Sequence, residues 1–127
     1  MRLIGCGACC WLVLLLGCGE SSEPLAPVQG QVFCRGKPLA GGTIVFTPDP
    51  QRGGHGPQAW AEISPDGRYA LQTAERKGAT PGWHCVTVAP SKNNSCRLPA
   101  RYRDPEQSGQ HFEVKAERVN VCDLHLE

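Results

Sequence analysis

Aromatic residues are scarce, at 6% of the 127-residue chain, and neither sign of charge prevails, with 13 Lys+Arg against 12 Asp+Glu. The formal net charge of +1 supplies no basic field and no acidic tail, so no nucleic-acid partner is expected. No apolar run reaches the ~20 residues of a membrane-spanning helix, and no amphipathic run reaches helical length. The length excludes two lobes around a cleft. No G-x-S-x-G surrounds a serine, and Ser21, Ser22, Ser64, Ser91, Ser95 and Ser108 all fall in tether, turn or loop segments. No D-x-D-x-D-G run offers converging oxygens for calcium; Asp49, Asp66, Asp104 and Glu106 stand beside Pro or Gly, where carboxylates cap turns. The chain therefore reads as noncatalytic, with no cofactor and no metal site.

What is present begins with an address. Met1-Arg2 carries one positive charge, and Leu3 to Gly17 follows without any, closing on Trp11-Leu12-Val13-Leu14-Leu15-Leu16. This is the n-region and h-region of a secretory signal, too short for a permanent anchor. Leu15-Leu16-Gly17-Cys18 resembles the lipobox of bacterial lipoproteins, which implies cleavage after Gly17 and acyl chains on Cys18. Each buried methylene contributes ~0.8 kcal/mol, and two or three chains on one cysteine hold a domain at a membrane where one would not. The expected organisation is a signal peptide over 1–17, a lipidated Cys18 with a tether over 18–27, and a folded domain over 28–127. Glu20 to Pro27 is polar and proline-interrupted, so no packing is expected of it. Gly19 after the cysteine favours the outer membrane under the enteric sorting rule; the localisation expected is the cell envelope, facing the periplasm or exterior.

From Val28 the pattern changes to period two. Val28–Cys34, Thr43–Pro48, Ala59–Ile63, Arg68–Thr73, Gly82–Val88, Gln110–Val114 and Val119–Leu126 read as strands, separated by turn residues drawn from 15 Gly and 11 Pro. Ser64-Pro65-Asp66-Gly67 marks a hairpin between the third and fourth. Seven short strands make a seven-stranded antiparallel β-sandwich the economical all-β architecture. Alternation turns Val28, Val32, Ile44, Phe46, Ala61, Ile63, Tyr69, Leu71, Val86, Val88, Val114, Leu124 and Leu126 inward.

The pieces Val28-x-Gly30-x-Val32, Gly36-Lys37-Pro38-Leu39-Ala40-Gly41-Gly42, Ile44-x-Phe46-x-Pro48, Asp66-Gly67-Arg68-Tyr69-x-Leu71, Val86-Thr87-Val88 and Pro99-x-Arg101-Tyr102 resemble the carboxypeptidase regulatory-like, or transthyretin-like, domain of small bacterial lipoproteins. The resemblance covers nearly all of residues 28–126. It implies a prealbumin-type sandwich, usually noncatalytic. The chain departs from the pattern at Cys34, Cys85, Cys96 and Cys122.

Those four cysteines stand 51, 11 and 26 residues apart, far from the close pairs of zinc fingers and ribbons. Export makes two disulfides the first reading, and alternation, with Cys34 and Cys122 inward and Cys85 outward, favours Cys34–Cys122 with Cys85–Cys96. Buried unpaired thiols are the other reading. His55, His84, His111 and His125 form no local ligand pattern; His84 takes the inward register of a hydrogen-bonded structural histidine, and the others read as loop or outer-face residues. Trp60 and Trp83 face outward and supply a candidate ligand surface; Arg101 and Tyr102 beside Arg97 and Arg103 are a second candidate, set against the ordinary and preferred reading of an exposed loop whose tyrosine packs back on the sandwich. The function expected is a membrane-anchored accessory module serving an unknown protein or glycan partner. A carbohydrate-binding or envelope-adhesion domain stacking sugars on the tryptophans is the alternative, and a metal-dependent hydrolase is the third class.

Overall fold

A computed structural model describes residues 23–127; the expected signal peptide, Cys18 and the start of the tether lie outside the described residues. The chain runs through β1 (Val28–Cys34), β2 (Lys37–Pro38), β3 (Gly42–Pro48), β4 (Ala59–Ile63), β5 (Arg68–Ala70), β6 (Gln72–Thr73), β7 (Arg76–Lys77), β8 (Gly82–Pro90), β9 (His111–Val114), β10 (Asn120–Val121) and β11 (Leu124–Leu126). Two single 3₁₀ turns, Pro50–Arg52 and Ala100–Arg103, interrupt the loops. Among the described residues no helix is long and apolar enough to cross a membrane.

The strands form two sheets. In the first, β1 pairs antiparallel with β2 and β5 and parallel with β10 and β11. The second has the order β7-β6-β4-β3-β8-β9 and is antiparallel throughout. The all-β expectation therefore holds, while two finer expectations change. Each of the seven expected segments carries strand, yet two are broken, after Ala70 and after Val121, and two-residue strands β2 and β7 are added. The first sheet is also mixed, because the C-terminal segment runs beside β1 in the same direction.

The Ser64–Gly67 turn forms as its residues require: Gly67 takes a φ of 85° and donates to the Ser64 carbonyl at 2.8 Å, while Asp66 Oδ1 accepts the Arg68 N–H at 3.1 Å. The strand after it does not return along β4 as a simple hairpin. It crosses to the first sheet as β5 and rejoins the second only as β6, where Gln72 stands opposite Trp60. The crossing places Tyr69 inside, its hydroxyl donating to the Cys122 carbonyl at 2.5 Å. That carbonyl lies against Gly30, where any Cβ would collide with it. Gly30 is thus required by close approach of the parallel neighbour, not by its own dihedrals.

All the residues that alternation turned inward are buried, and they form a core between the sheets. Phe46 lies at its centre, 6.5 Å from the ring of Tyr69, 5.8 Å from His84 and 6.0 Å from Phe112, so the few aromatics are concentrated where their area is most useful. Leu39 and Tyr102, from segments read as turn and loop, complete the core. The tether expectation fails at its last residues: Ala26 is buried and exchanges backbone hydrogen bonds of 2.9 Å with Ala79 in both directions. Its small side chain joins the core, and the backbone gains a pair that the polar composition upstream did not foreshadow.

Candidate functional site

β3 ends at Pro48, and the next residue is held from several sides. Asp49 donates its N–H to the Trp83 carbonyl at 2.9 Å, and its carbonyl accepts the N–H groups of Arg52 at 3.1 Å and Gly54 at 2.8 Å. Its Oδ1 accepts the Gln51 N–H at 3.1 Å, capping the 3₁₀ turn, as the sequence leads one to expect of a carboxylate beside proline. The second oxygen, Oδ2, is left facing the outer surface of the second sheet. Opposite it, Cys85 of β8 and His111 of β9 are direct cross-strand partners. Cys85 Sγ lies 3.8 Å from His111 Nδ1, and that nitrogen lies 3.8 Å from Asp49 Oδ2. One donor atom from each residue falls within 4.8 Å of the others.

The surroundings are strongly polarised. Asp49 is buried at 6% exposure, and Arg52 Nε approaches the same Oδ2 to 3.7 Å while its guanidinium lies 4.9 Å above the Trp83 ring. Glu113, the next outward residue of β9, stands opposite Trp83 and is paired with Lys115. Burial pushes the Cys85 thiol above its ordinary value, and the charge and hydrogen bond of Asp49 push it the same way, against a smaller opposing effect of Arg52. Cys85 is accordingly a protonated thiol in this setting, not an activated nucleophile. A Cys-His-Asp relay would use the two ring nitrogens separately; here sulfur and carboxylate both approach Nδ1. The arrangement offers three different donor types at one point, and it can hold a cation.

The other cysteines depart from the expected pairing. The structure has a Cys34–Cys96 disulfide with Cα atoms 6.4 Å apart, and among the described residues Cys85 and Cys122 are free thiols. The reason is register. In the parallel ladder Val121 is level with Gln29 and Leu124 with Val32, so Cys122 lies near Gly30, about 13 Å along β1 from Cys34 at ~3.3 Å per residue. That span is too long for a bridge. Cys122 is buried, and burial pushes its thiol up to about 11, so it behaves as a small apolar core residue.

Trp60 and Trp83 do share the outer face of the second sheet, with Trp60 at 39% exposure and Trp83 half-buried beneath Arg52. Trp60 is level with Thr87 across β3, which puts the tryptophans roughly 16 Å apart by strand rise and spacing. They make two separate surfaces, not one platform. Tyr102 packs back on the sandwich and so takes no part in a ligand surface: it is buried, its hydroxyl accepts from Arg101 at 3.0 Å and donates to the Glu127 carbonyl at 3.2 Å, and Arg101 covers its ring at 4.6 Å. A ring that size finds more stabilisation against the sandwich than in solvent.

Sequence reasoning did not assemble Asp49, Cys85 and His111, because they lie in three separate elements with no local spacing. The signal that was readable is the outward register of Cys85 and His111 on neighbouring strands. No family model matches the chain, and neither the curated proteins nor the solved structures contain a match.

Proposed function

We propose that the protein is a lipid-tethered, noncatalytic accessory module of the cell envelope, carrying a transthyretin-like sandwich on a short N-terminal tether. The observation that carries this reading is the run Leu15-Leu16-Gly17-Cys18 at the end of an uncharged segment, upstream of an all-β body. Two features support it. The Cys34–Cys96 disulfide suits an oxidising compartment outside the cytoplasm. The strongest nucleophile candidate, Cys85, has its thiol held protonated by burial and by Asp49, which favours binding or structure over covalent catalysis.

The tether is short. From Cys18 to the first packed residue, Ala26, eight residues of extended chain reach at most ~28 Å, so the sandwich stays close to the bilayer that holds the lipid. Its partner is then a molecule of that surface, a protein or a glycan, and Gly19 favours the outer membrane. The test is expression of the full chain in a Gram-negative host with radiolabelled palmitate, followed by membrane fractionation. The parent is expected to carry label and sediment with membranes, whereas Cys18→Ser loses both properties. A Cys18→Ser product that stays firmly embedded overturns the lipid anchor.

A further inference from the structure

A tetrahedral ion with bonds of ~2.0–2.3 Å to sulfur, nitrogen and oxygen sets its donors about 3.3–3.7 Å apart. Asp49 Oδ2, His111 Nδ1 and Cys85 Sγ include two separations of 3.8 Å, and the whole set lies within 4.8 Å. Side-chain rotation of under ~1 Å per donor closes that triangle. The donors are presented by a capped turn and two paired strands, each held by its own backbone bonds, so little ordering remains to be supplied on binding.

We propose that Asp49, Cys85 and His111 form a binding site for a single divalent transition-metal ion, with zinc the expected occupant. The donor chemistry selects the class: calcium and magnesium take oxygen donors, whereas one thiolate, one imidazole and one carboxylate suit a borderline ion such as Zn²⁺. On binding, the Cys85 S–H bond breaks, its proton passes to solvent, and the sulfur electron pair enters the metal–sulfur bond. Three protein ligands leave a fourth position toward the solvent-exposed side of His111, which water fills. Arg52 already occupies Asp49 Oδ2 at 3.7 Å, and its half-exposed side chain must yield, so it competes with the ion.

The site does not depend on the lipid anchor, and its test uses the purified full chain under anaerobic conditions. Cobalt(II) is titrated as a spectroscopic substitute for zinc, following the thiolate-to-cobalt charge-transfer band and its displacement by Zn²⁺. One equivalent is expected to produce the band. Cys85→Ser abolishes it, Cys122→Ser leaves it unchanged, and Asp49→Asn and His111→Gln weaken binding by at least roughly tenfold, the scale on which even ligand-orienting residues act. Arg52→Ala tightens binding, an effect that a purely structural arginine would not have. His111 lies at the surface, so His111→Gln tests the proposal even if an Asp49 variant folds poorly. An absent band, a band that survives Cys85→Ser, or His111→Gln binding as the parent does overturns it.

Discussion

His84 shows how a single residue couples the core to pH. Alternation turned it inward, and it is 1% exposed, its Nδ1–H donating to the Gly82 carbonyl at 2.9 Å and its Nε2 without a partner among the described residues. Burial lowers its proton affinity below the ordinary histidine value of 6.5, with the Gly82 carbonyl opposing only in part. The unfolded chain then binds the proton more readily than the folded one, so stability is fully present above about pH 6.5 and falls as the pH drops below it. Denaturant midpoints measured between pH 7.5 and 5 are expected to decline, and His84→Leu is expected to flatten part of that decline. An identical slope in both proteins would remove His84 as its source. At this scale the sequence was most legible: the direction of a side chain on a strand depends only on period two, and that placed Cys85 and His111 outward as well as His84 inward.

At the scale of elements, pairing decides what alternation leaves open. Cys34 and Cys122 both face the core, as expected, but the parallel register of β1 with β10 and β11 separates them, and the loop after β8 brings Cys96 to Cys34 instead. The bridge joins residues 62 apart, and in the chain-entropy account it restricts the unfolded state by up to about 4 kcal/mol. Cys34→Ser and Cys96→Ser are therefore expected to lose similar stability, and a reductant should lower the thermal midpoint of the parent but not of Cys96→Ser. A parent insensitive to reductant would contradict the bridge. The same dependence on pairing explains why the Asp49, Cys85 and His111 cluster was not readable: turn capping correctly described Asp49 Oδ1, while the neighbours of Oδ2 come from strands 36 and 62 residues further along.

Across the whole molecule, β1 joins the two ends of the described chain. Val32 pairs with Leu124, and Tyr102 in the late loop is tied to Glu127, so the C-terminal segment completes both the first sheet and the core. Leu124 and Leu126 are buried, and truncating each such side chain costs about 2–5 kcal/mol, against a typical total stability of 5–15 kcal/mol. Deleting Leu124–Glu127 is expected to abolish cooperative unfolding and to uncover the edge of β1, which near-UV circular dichroism and urea titration would detect; an unchanged midpoint would show that the segment is dispensable. By itself the sequence determined the class of structure and the faces of its strands, since alternation and turn chemistry act over a few residues. Tertiary structure alone decided which strands meet, and with them the mixed first sheet, the Cys34–Cys96 bridge and the convergence of three metal-type donors. Those features depend on contacts between segments far apart in the chain, and a local pattern is indifferent to the neighbour against which it will lie.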